Sequence, residues 1–461
     1  MTTDESIFGQ TIAIISAGVP TKRFIFERAR DLGVKVILLD SAQSWASDLV
    51  SNGILASFIP INFGRETNLV ALDCAQALKP FKPLGVCTFC EVSVEIAALT
   101  AQLLGLPHSP PELVRKCRDK QAVRSALNVL GIDNTRNFRV PFDASDSEVS
   151  SLSIDFPAVL KPVSGADSIG VVKISNLAEL IRAFHNCKKT VANLRVKDGA
   201  IAVGYTGESH ADSKETSTGF LASDIIPCDF ILEEYIEGEE VDIDLVLKSG
   251  RLAYGAVSDN GPTAEPFFSE TWAVCPSRLS LEVVENLVKL AFDAVTGLGF
   301  TDGVFHVEGK VEQFPGFSKA RLLEINPRMG GGFIGKMHRL VYGRDLIDDQ
   351  FRIACGLSCP SSSMPLIPRG AFSYITPTST LSGTYCGPAE LIDRKSLNKH
   401  MEFIQYVKPG DYIVGSGGQP TWLCEILFFS PNGFADNALN AVQAVAVKVL
   451  DEIISKNYLK F

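Results

Sequence analysis

The chain has 461 residues, which suggests two to four structural units at roughly 100 to 200 residues each, and its 46% hydrophobic and 21% charged content is ordinary for a packed protein. Its 43 basic and 53 acidic residues give a net charge of -10, which excludes the basic surface that binds nucleic-acid phosphates. No apolar run reaches the ~18 to 20 residues that cross a bilayer, and the N-terminal MTTDESIFGQ does not resemble a signal peptide. We expect a soluble, cytoplasmic protein with no nucleic-acid or membrane partner.

The cysteines indicate reduced thiols. There are 11 of them, an odd number spread mostly singly through apolar stretches. Cys87 and Cys90 form a C-x-x-C pair that could be half of a zinc or redox site, but no second pair follows. Buried, unpaired cysteines are the favoured interpretation.

The first 115 residues are predicted to form an α/β unit. Short apolar runs at 11–16, 35–40, 54–61 and 84–89 alternate with helical patterns, as in a parallel sheet covered by helices. The first turn, Ser16 to Pro20, has one glycine instead of the three of a dinucleotide-binding fingerprint, which disfavours a nicotinamide oxidoreductase. Ser109 is predicted to cap the helix that opens the next unit.

The middle of the chain, residues 116–360, is predicted to form a second unit. Strands at 156–162 and 170–174 flank a loop of small residues, and 193–224 shows no clean period and suggests an irregular excursion. Three strands with tight turns follow over 228–257, and then a helix over 281–298. The last unit, residues 361–461, has short apolar runs and a closing helix over 435–454.

Two acidic strands carry a candidate metal site. In GVFHVEGKV, strand alternation places Val304, His306, Glu308 and Lys310 on one face. In RLLEINPRMGG, the same alternation groups four residues, Leu322, Glu324, Asn326 and Arg328. If the strands pair, the two glutamates lie ~5 Å apart and need a cation between them, and two carboxylates with an amide suit Mg²⁺. The alternative is two solvated glutamates, and the role of His306 stays open.

A lysine and a loop of small residues form a candidate phosphate site. Small side chains let backbone N–H groups approach phosphate oxygens, and a lysine adds positive charge. The loop KPVSGADSIGV supplies Lys161, Ser164, Gly165, Ala166, Ser168 and Gly170. Upstream, Lys120 lies on a predicted helix whose basic residues could equally be solvated.

The segment ILEEYIEGEE is a candidate nucleotide-base site. A strand ends in Glu233-Glu234-Tyr235-Ile236, turns at a glycine and resumes at Glu240. An extended backbone can pair with an adenine edge, and an acid after the turn can reach ribose hydroxyls. An ordinary acidic hairpin is the alternative.

The order of these pieces resembles the ATP-grasp superfamily of carboxylate–amine ligases over roughly residues 10 to 360. The resemblance implies an α/β fold with an N-terminal Rossmann-like domain (1–115), an ATP-grasp domain (116–360) with a mobile lid over about 135–230, and a C-terminal subdomain (361–461). It implies ATP and Mg²⁺ (or Mn²⁺) as cofactors. The implied roles are phosphate binding by Lys120 and Lys161, adenine binding by Glu234 and Ile236, ribose binding by Glu240, metal binding by Glu308, Glu324 and Asn326, and transition-state stabilisation by Arg328.

A closer resemblance is to the carnosine synthases and the related L-amino-acid ligases. It rests on GPTAEPFFSETWAVCPSRLS, GFTDGVFHVEGKV, LLEINPRMGGGFIGKMHRLVYGRDLIDDQFRIACGL and CEVSVEIAALTAQLLGLPHSP. It implies an enzyme that joins two amino acids, or an amino acid and another carboxylate, through an acyl phosphate, and it leaves open which pair is used and whether the chain forms a homodimer. The alternative is a non-catalytic, regulatory nucleotide-binding protein on the same fold. A P-loop is disfavoured because Met337 follows the G-x-x-x-x-G-K match that begins at Gly330.

Overall fold

The computed structural model describes residues 6–165, 168–197, 200–203, 220–221, 228–415 and 420–460. Strands and helices are numbered in chain order. The predicted loop residue Ala166 and most of the predicted irregular segment 193–224 lie outside the described residues. No helix in the described ranges is long and apolar enough to span a membrane.

The N-terminal unit is the predicted α/β layer. Its described strands pair in parallel in the order β3-β2-β1-β4. The strands are β1 (Thr11–Ile15), β2 (Lys35–Asp40), β3 (Ser57–Pro60) and β4 (Gly85–Cys87), and the helices are α1 (Arg23–Asp31), α2 (Thr67–Leu78) and α3 (Val94–Leu103). Both faces of the sheet are buried under helices, as the near-continuous apolar strands require.

Two short helices, α4 (Pro111–Cys117) and α5 (Lys120–Val129), lead to the second layer. The prediction that Ser109 caps α4 is wrong: the cap position is Pro110, and the Ser109 hydroxyl donates to the Asp302 carbonyl at 3.3 Å. The side chain of Asp119 caps α5 instead by accepting from the Ala122 N–H, and this places Lys120 in the first turn.

The second layer is an antiparallel sheet in the order β5-β11-β6-β7, packed on one long helix. Its elements are β5 (Asn137–Val140), α6 (Asp146–Ser150), β6 (Ala158–Pro162), β7 (Val172–Ile174), α7 (Leu177–Ala192) and β11 (Phe230–Glu234). Beside it lie β8 (Leu194–Lys197), β9 (Ala200–Val203) and β10 (Phe220–Leu221). The prediction of irregular structure over 193–224 is therefore wrong for these three strands. The central strand β8 pairs with β9, which follows it directly, and with β10, which comes later in the chain.

The third layer is a large antiparallel sheet in the order β16-β15-β12-β13-β14-β17-β21-β19. Its strands are β12 (Glu239–Lys248), β13 (Arg251–Asn260), β14 (Trp272–Cys275), β15 (Gly303–Phe314), β16 (Phe317–Asn326), β17 (Gly370–Ile375), β19 (Met401–Gln405) and β21 (Cys424–Pro431). Its helices are α8 (Leu281–Leu298), α9 (Ile334–Val341), α10 (Leu346–Ala354) and α11 (Ala435–Ser455). A small sheet of β18 (Gly383–Tyr385), β20 (Tyr412–Ile413) and β22 (Leu459–Lys460) completes the described strands. The division of 116–461 into two units stays a prediction. In the structure, β17, β19 and β21 continue the sheet that β12 to β16 begin.

The register of three neighbouring strands at one end of the large sheet, β12, β15 and β16, separates an apolar face from a polar one. Ile243, Val307 and Ile325 lie side by side and pack on α8, so the residues between them face the other way. The prediction that Leu322 shares the polar face is wrong. A β-bulge between Glu324 and Leu322 turns Leu322 into the α8 core and presents Leu323 instead.

None of the eleven cysteines, all of which lie within the described residues, forms a disulfide bond, as predicted. Cys87 and Cys90 are buried, which confirms the predicted packing. The prediction of burial is wrong for Cys386, which is exposed beside β22.

Candidate functional site

A cleft of about 1350 Å³ opens over the polar face of the large sheet. The second layer and the loop after β4 form its other walls, and both predicted lysines face it. The predicted site residues that line it are Lys120, Lys161, Gly165, Ser168, Glu233, Glu234, Tyr235, Ile236, Glu240, His306, Glu308, Glu324, Asn326 and Arg328. The structure thus brings together residues that lie up to 208 positions apart along the chain.

Polar side chains cross the sheet in three rows. The first row pairs Glu240 with Lys310. The second aligns three carboxylates, Asp242, Glu308 and Glu324, on β12, β15 and β16. The third aligns Asp244, His306 and Asn326 on the same strands. Because cross-strand neighbours lie ~5 Å apart, each row is a continuous line of interacting groups.

The row of carboxylates is the candidate metal centre. Burial, together with the charge of Glu324, raises the pKa of Glu308, while the Lys120 ammonium lies 3.0 Å from Glu324. The described residues contain no group of three or more His, Cys, Asp or Glu side chains placed so that they could hold a metal ion. The candidate ligands are therefore the carboxylates of Glu308 and Glu324 and the amide of Asn326. Oxygen donors whose mutual repulsion a cation would relieve fit Mg²⁺.

Lys161 lies on β6 and forms a buried ion pair. Its ammonium is 2.5 Å from Glu233, whose other oxygen accepts from the Arg124 guanidinium at 3.1 Å. Burial by itself would raise the pKa of Glu233, but the two cations lower it. The Glu233 side chain therefore acts as the counter-ion of Lys161.

The segment after β11 forms one wall of the cleft. Ile236 is buried, and the Tyr235 ring lies beneath two ammonium groups, with Lys173 3.9 Å and Lys310 4.9 Å from its centre. The Glu234 carboxylate accepts from Arg321 at 2.9 Å. Burial raises the pKa of Glu240 to about 7, since the Lys310 ammonium, 3.8 Å away, offsets it only in part.

Arg328 lies at the end of the cleft, two residues after β16. Its Nε donates to Glu91 at 2.5 Å, and Arg118 contacts the same carboxylate at 3.0 Å. Burial would raise the pKa of Glu91, but the guanidinium groups of Arg328 and Arg118 lower it to about 2. Glu91 thereby fixes Arg328 to the N-terminal unit.

Two predicted loop residues lie away from the cleft wall. The Ser164 hydroxyl donates to the Arg118 carbonyl at 2.8 Å, and the Gly170 carbonyl accepts from Cys187. Gly165 and Ser168 do line the cleft.

Sequence reasoning missed an acidic and histidine cluster beneath the cleft. Burial would lower the pKa of His306, but Asp242 and Asp244 raise it to about 10. His338 contacts the same Asp244 from α9. The alternation in EVDIDLVLK places both aspartates on one face and could have indicated them, whereas nothing local marks His338 or Glu91.

Family models match two parts of the chain: an ATP-grasp N-terminal domain over residues 26–108 and an ATP-grasp domain over 208–336. The chain therefore has an ATP-grasp fold. The L-amino acid ligase from Bacillus licheniformis has the same fold, with a TM-score of 0.75 over 96% of this chain and 97% of that one at 21% identity.

Curated relatives of this ATP-grasp chain include two ligases. Carnosine synthase 1 of Mus musculus is 30% identical over 371 residues, which cover 78% of this chain and 41% of the relative. Alanine--anticapsin ligase of Bacillus amyloliquefaciens is 25% identical over 275 residues, which cover 58% and 52%. The match therefore spans about two fifths of the length of that carnosine synthase.

Proposed function

We propose that the chain is an ATP-dependent ligase that joins the carboxylate of one amino acid, or of another small acid, to the amine of a second amino acid. The observation that carries the proposal is the juxtaposition, in one cleft, of the Glu308–Glu324 pair, the two lysines and Arg328. A protein that only bound nucleotide would have no use for a partly buried arginine that Glu91 fixes beside the candidate metal ligands. The ligase relatives support the same activity.

Different residues of the cleft bind different parts of the nucleotide. The backbone at 234–236 holds the adenine edge and Glu240 the ribose hydroxyls, while Lys120, Lys161 and the N–H groups around Gly165 and Ser168 hold the phosphates. Glu308, Glu324 and Asn326 would hold Mg²⁺, which would neutralise negative charge on the triphosphate.

Phosphoryl transfer and acyl transfer then use the same cations. The substrate carboxylate attacks the γ-phosphorus and ADP leaves, while Lys120, Lys161 and Arg328 stabilise the transferring charge. The amine of the second substrate attacks the acyl phosphate, phosphate leaves, and Arg328 stabilises the tetrahedral oxyanion. Closure of the predicted lid, about residues 135–230, would exclude water that otherwise hydrolyses the acyl phosphate.

The test is product analysis with ATP, Mg²⁺ and a matrix of paired amino acids that includes β-alanine with histidine. We expect ADP, phosphate and an amide of the summed mass with a particular pair. Glu324→Ala and Lys161→Ala should abolish turnover in folded protein, whereas Glu285→Ala, which alters an exposed acid on α8, should retain it. AMP and pyrophosphate would contradict the acyl-phosphate route, and wild-type activity in either site variant would contradict the site.

We also place the reaction in the cytoplasm. The eleven cysteines, each within the described ranges, form no disulfide bond, which fits a reducing compartment. Subcellular fractionation tests the location, and recovery from an oxidising compartment would contradict it.

A further inference from the structure

A buried chain of hydrogen bonds lies beneath the cleft. The Tyr254 hydroxyl is 2.7 Å from Nδ1 of His338, and Nε2 of His338 is 2.7 Å from Asp244. The other oxygen of Asp244 is 2.9 Å from Nδ1 of His306. Asp244 and His338 are 0% exposed, so solvent cannot supply these groups with alternative partners.

The donors of this relay, the hydrogen-bonded series Tyr254–His338–Asp244–His306, all point toward Asp244. A carboxylate only accepts, so His338 donates from Nε2 and His306 from Nδ1 to Asp244. The Nδ1 atom of His338 is then left to accept from the Tyr254 hydroxyl. This leaves Nε2 of His306, which lies 3.8 Å from Asp242, outside hydrogen-bond distance, as the ring atom available to the cleft.

Packing holds the His306 ring from a second side. A Cβ added to Gly330 would come within 2.7 Å of Nδ1 of His306, so the glycine backbone lies directly against the ring. Gly330 is two residues beyond Arg328 and four before Ile334, the first residue of α9, which carries His338. Asp244 therefore ties both His306 and the helix that follows the Arg328 loop to one strand.

We propose that Asp244, His338 and Tyr254 are positioning residues that hold His306 with Nε2 toward the cleft, where His306 contacts the carboxylate of the acyl-donating substrate. The inference rests on the proposed function. Asp242 lines the cleft beside His306 and Asn326, so a substrate carboxylate that binds there needs hydrogen-bond donors. His306, which pairs with Asn326 across the sheet, and Arg328 supply them.

A set of conservative variants tests the relay. Asp244→Asn keeps the shape but can accept from one histidine only, and it should lower kcat on the order of tenfold to a hundredfold while the Kd for Mg-ATP stays nearly constant. Tyr254→Phe removes one hydroxyl and should cause a smaller loss. Tyr385→Phe, which removes the hydroxyl of another buried tyrosine, one bonded to Pro388, is the matched control and should keep full activity.

A double-variant cycle separates positioning from general structure. If Asp244 acts through His306, Asp244→Asn should cause little further loss of kcat in a His306→Gln background. Multiplying losses would overturn the inference, as would wild-type kcat in Asp244→Asn. If that variant fails to fold, His338→Gln enters the same cycle.

A spectroscopic measurement distinguishes this inference from the proposed function. In protein labelled with ¹⁵N-histidine, the His306 Nδ1–H resonance should shift in Tyr254→Phe, and an unchanged resonance would overturn the positioning role. A wild type without turnover on any pair would overturn the proposed function and the substrate contact of His306 with it, while the resonance would still report on the relay.

Discussion

Glu91→Gln offers the sharpest test of how the N-terminal unit is coupled to the cleft. The Glu91 carboxylate contacts Arg328 at 2.5 Å and Arg118 at 3.0 Å, and its pKa is lowered from 4.5 to about 2 against the opposing effect of burial. A shift of that size corresponds to about 3 kcal/mol of stability at neutral pH. Removal of one partner from a buried ion pair costs a similar amount, ~3 to 5 kcal/mol.

The contribution of Glu91 to the free energy of unfolding should fall as the pH falls. Because the pKa of Glu91 is lower in the folded state, its contribution is complete above about pH 5 and is lost as the pH falls through about 2. The free energy of unfolding in urea should therefore differ by about 3 kcal/mol between wild type and Glu91→Gln at pH 7, and the difference should shrink toward pH 2. The comparison with the variant cancels the titration of other groups.

A neighbouring pair provides the control. Glu95 accepts from Arg115 at 2.6 Å, but that arginine is 57% exposed, so Glu95→Gln should cost less than about 1 kcal/mol. Equal stabilities of wild type and Glu91→Gln at pH 7, or a difference that stays constant down to pH 2, would refute the coupling of Glu91 to the two arginines.

Two further predictions concern the cleft itself. Burial raises the pKa of Glu240 to about 7, so the KM for ATP should fall as the pH rises through 7 and the carboxylate becomes charged. Glu240→Gln should remove this pH dependence of the KM. If the KM of the variant changes with pH as it does in wild type, Glu240 does not bind the ribose. Gly330→Ala should lower kcat more than Gly331→Ala. The added Cβ lies 2.7 Å from Nδ1 of His306 in the first variant and contacts nothing in the second. Equal kcat values in the two variants would contradict the contact with His306.

Local sequence pattern was enough to predict that Glu308 and Glu324 lie side by side on one face of the sheet. Strand alternation gave the face of Glu308 and Glu324, and their direct pairing in the structure confirms the predicted register at those two positions. The prediction failed two residues away, at Leu322, because alternation assumes an unbroken ladder and a β-bulge inserts Leu323. A bulge depends on the partner strand, so the sequence of β16 alone does not reveal it.

Long-range pairing explains the residues that were missed. Asp242 and Asp244 lie on a predicted strand, but their neighbours Glu308 and His306 come from β15, more than 60 residues later. The tight turn after Lys248 indicates only the hairpin with β13. Glu91 is 237 residues from Arg328 and reaches it through the packing of a separate unit, for which no local periodicity exists.

The same long-range pairing accounts for the electrostatics of the cleft. Each cation proposed to bind phosphate contacts a carboxylate from another element: Lys120 contacts Glu324, Lys161 contacts Glu233 and Arg328 contacts Glu91. Buried charges are stable only when paired, so these acids hold the cations in place and at the same time weaken their field. Under the proposed function, triphosphate and Mg²⁺ should bind best together. Glu324 would then have the metal as its partner and Lys120 the phosphate, so neither partly buried charge would be left unpaired. Arg328 keeps its counter-ion Glu91 in the N-terminal unit, and Lys161 keeps its counter-ion Glu233 in the second unit. These ion pairs fix the positions of both cations while charge moves along the transferring phosphoryl group.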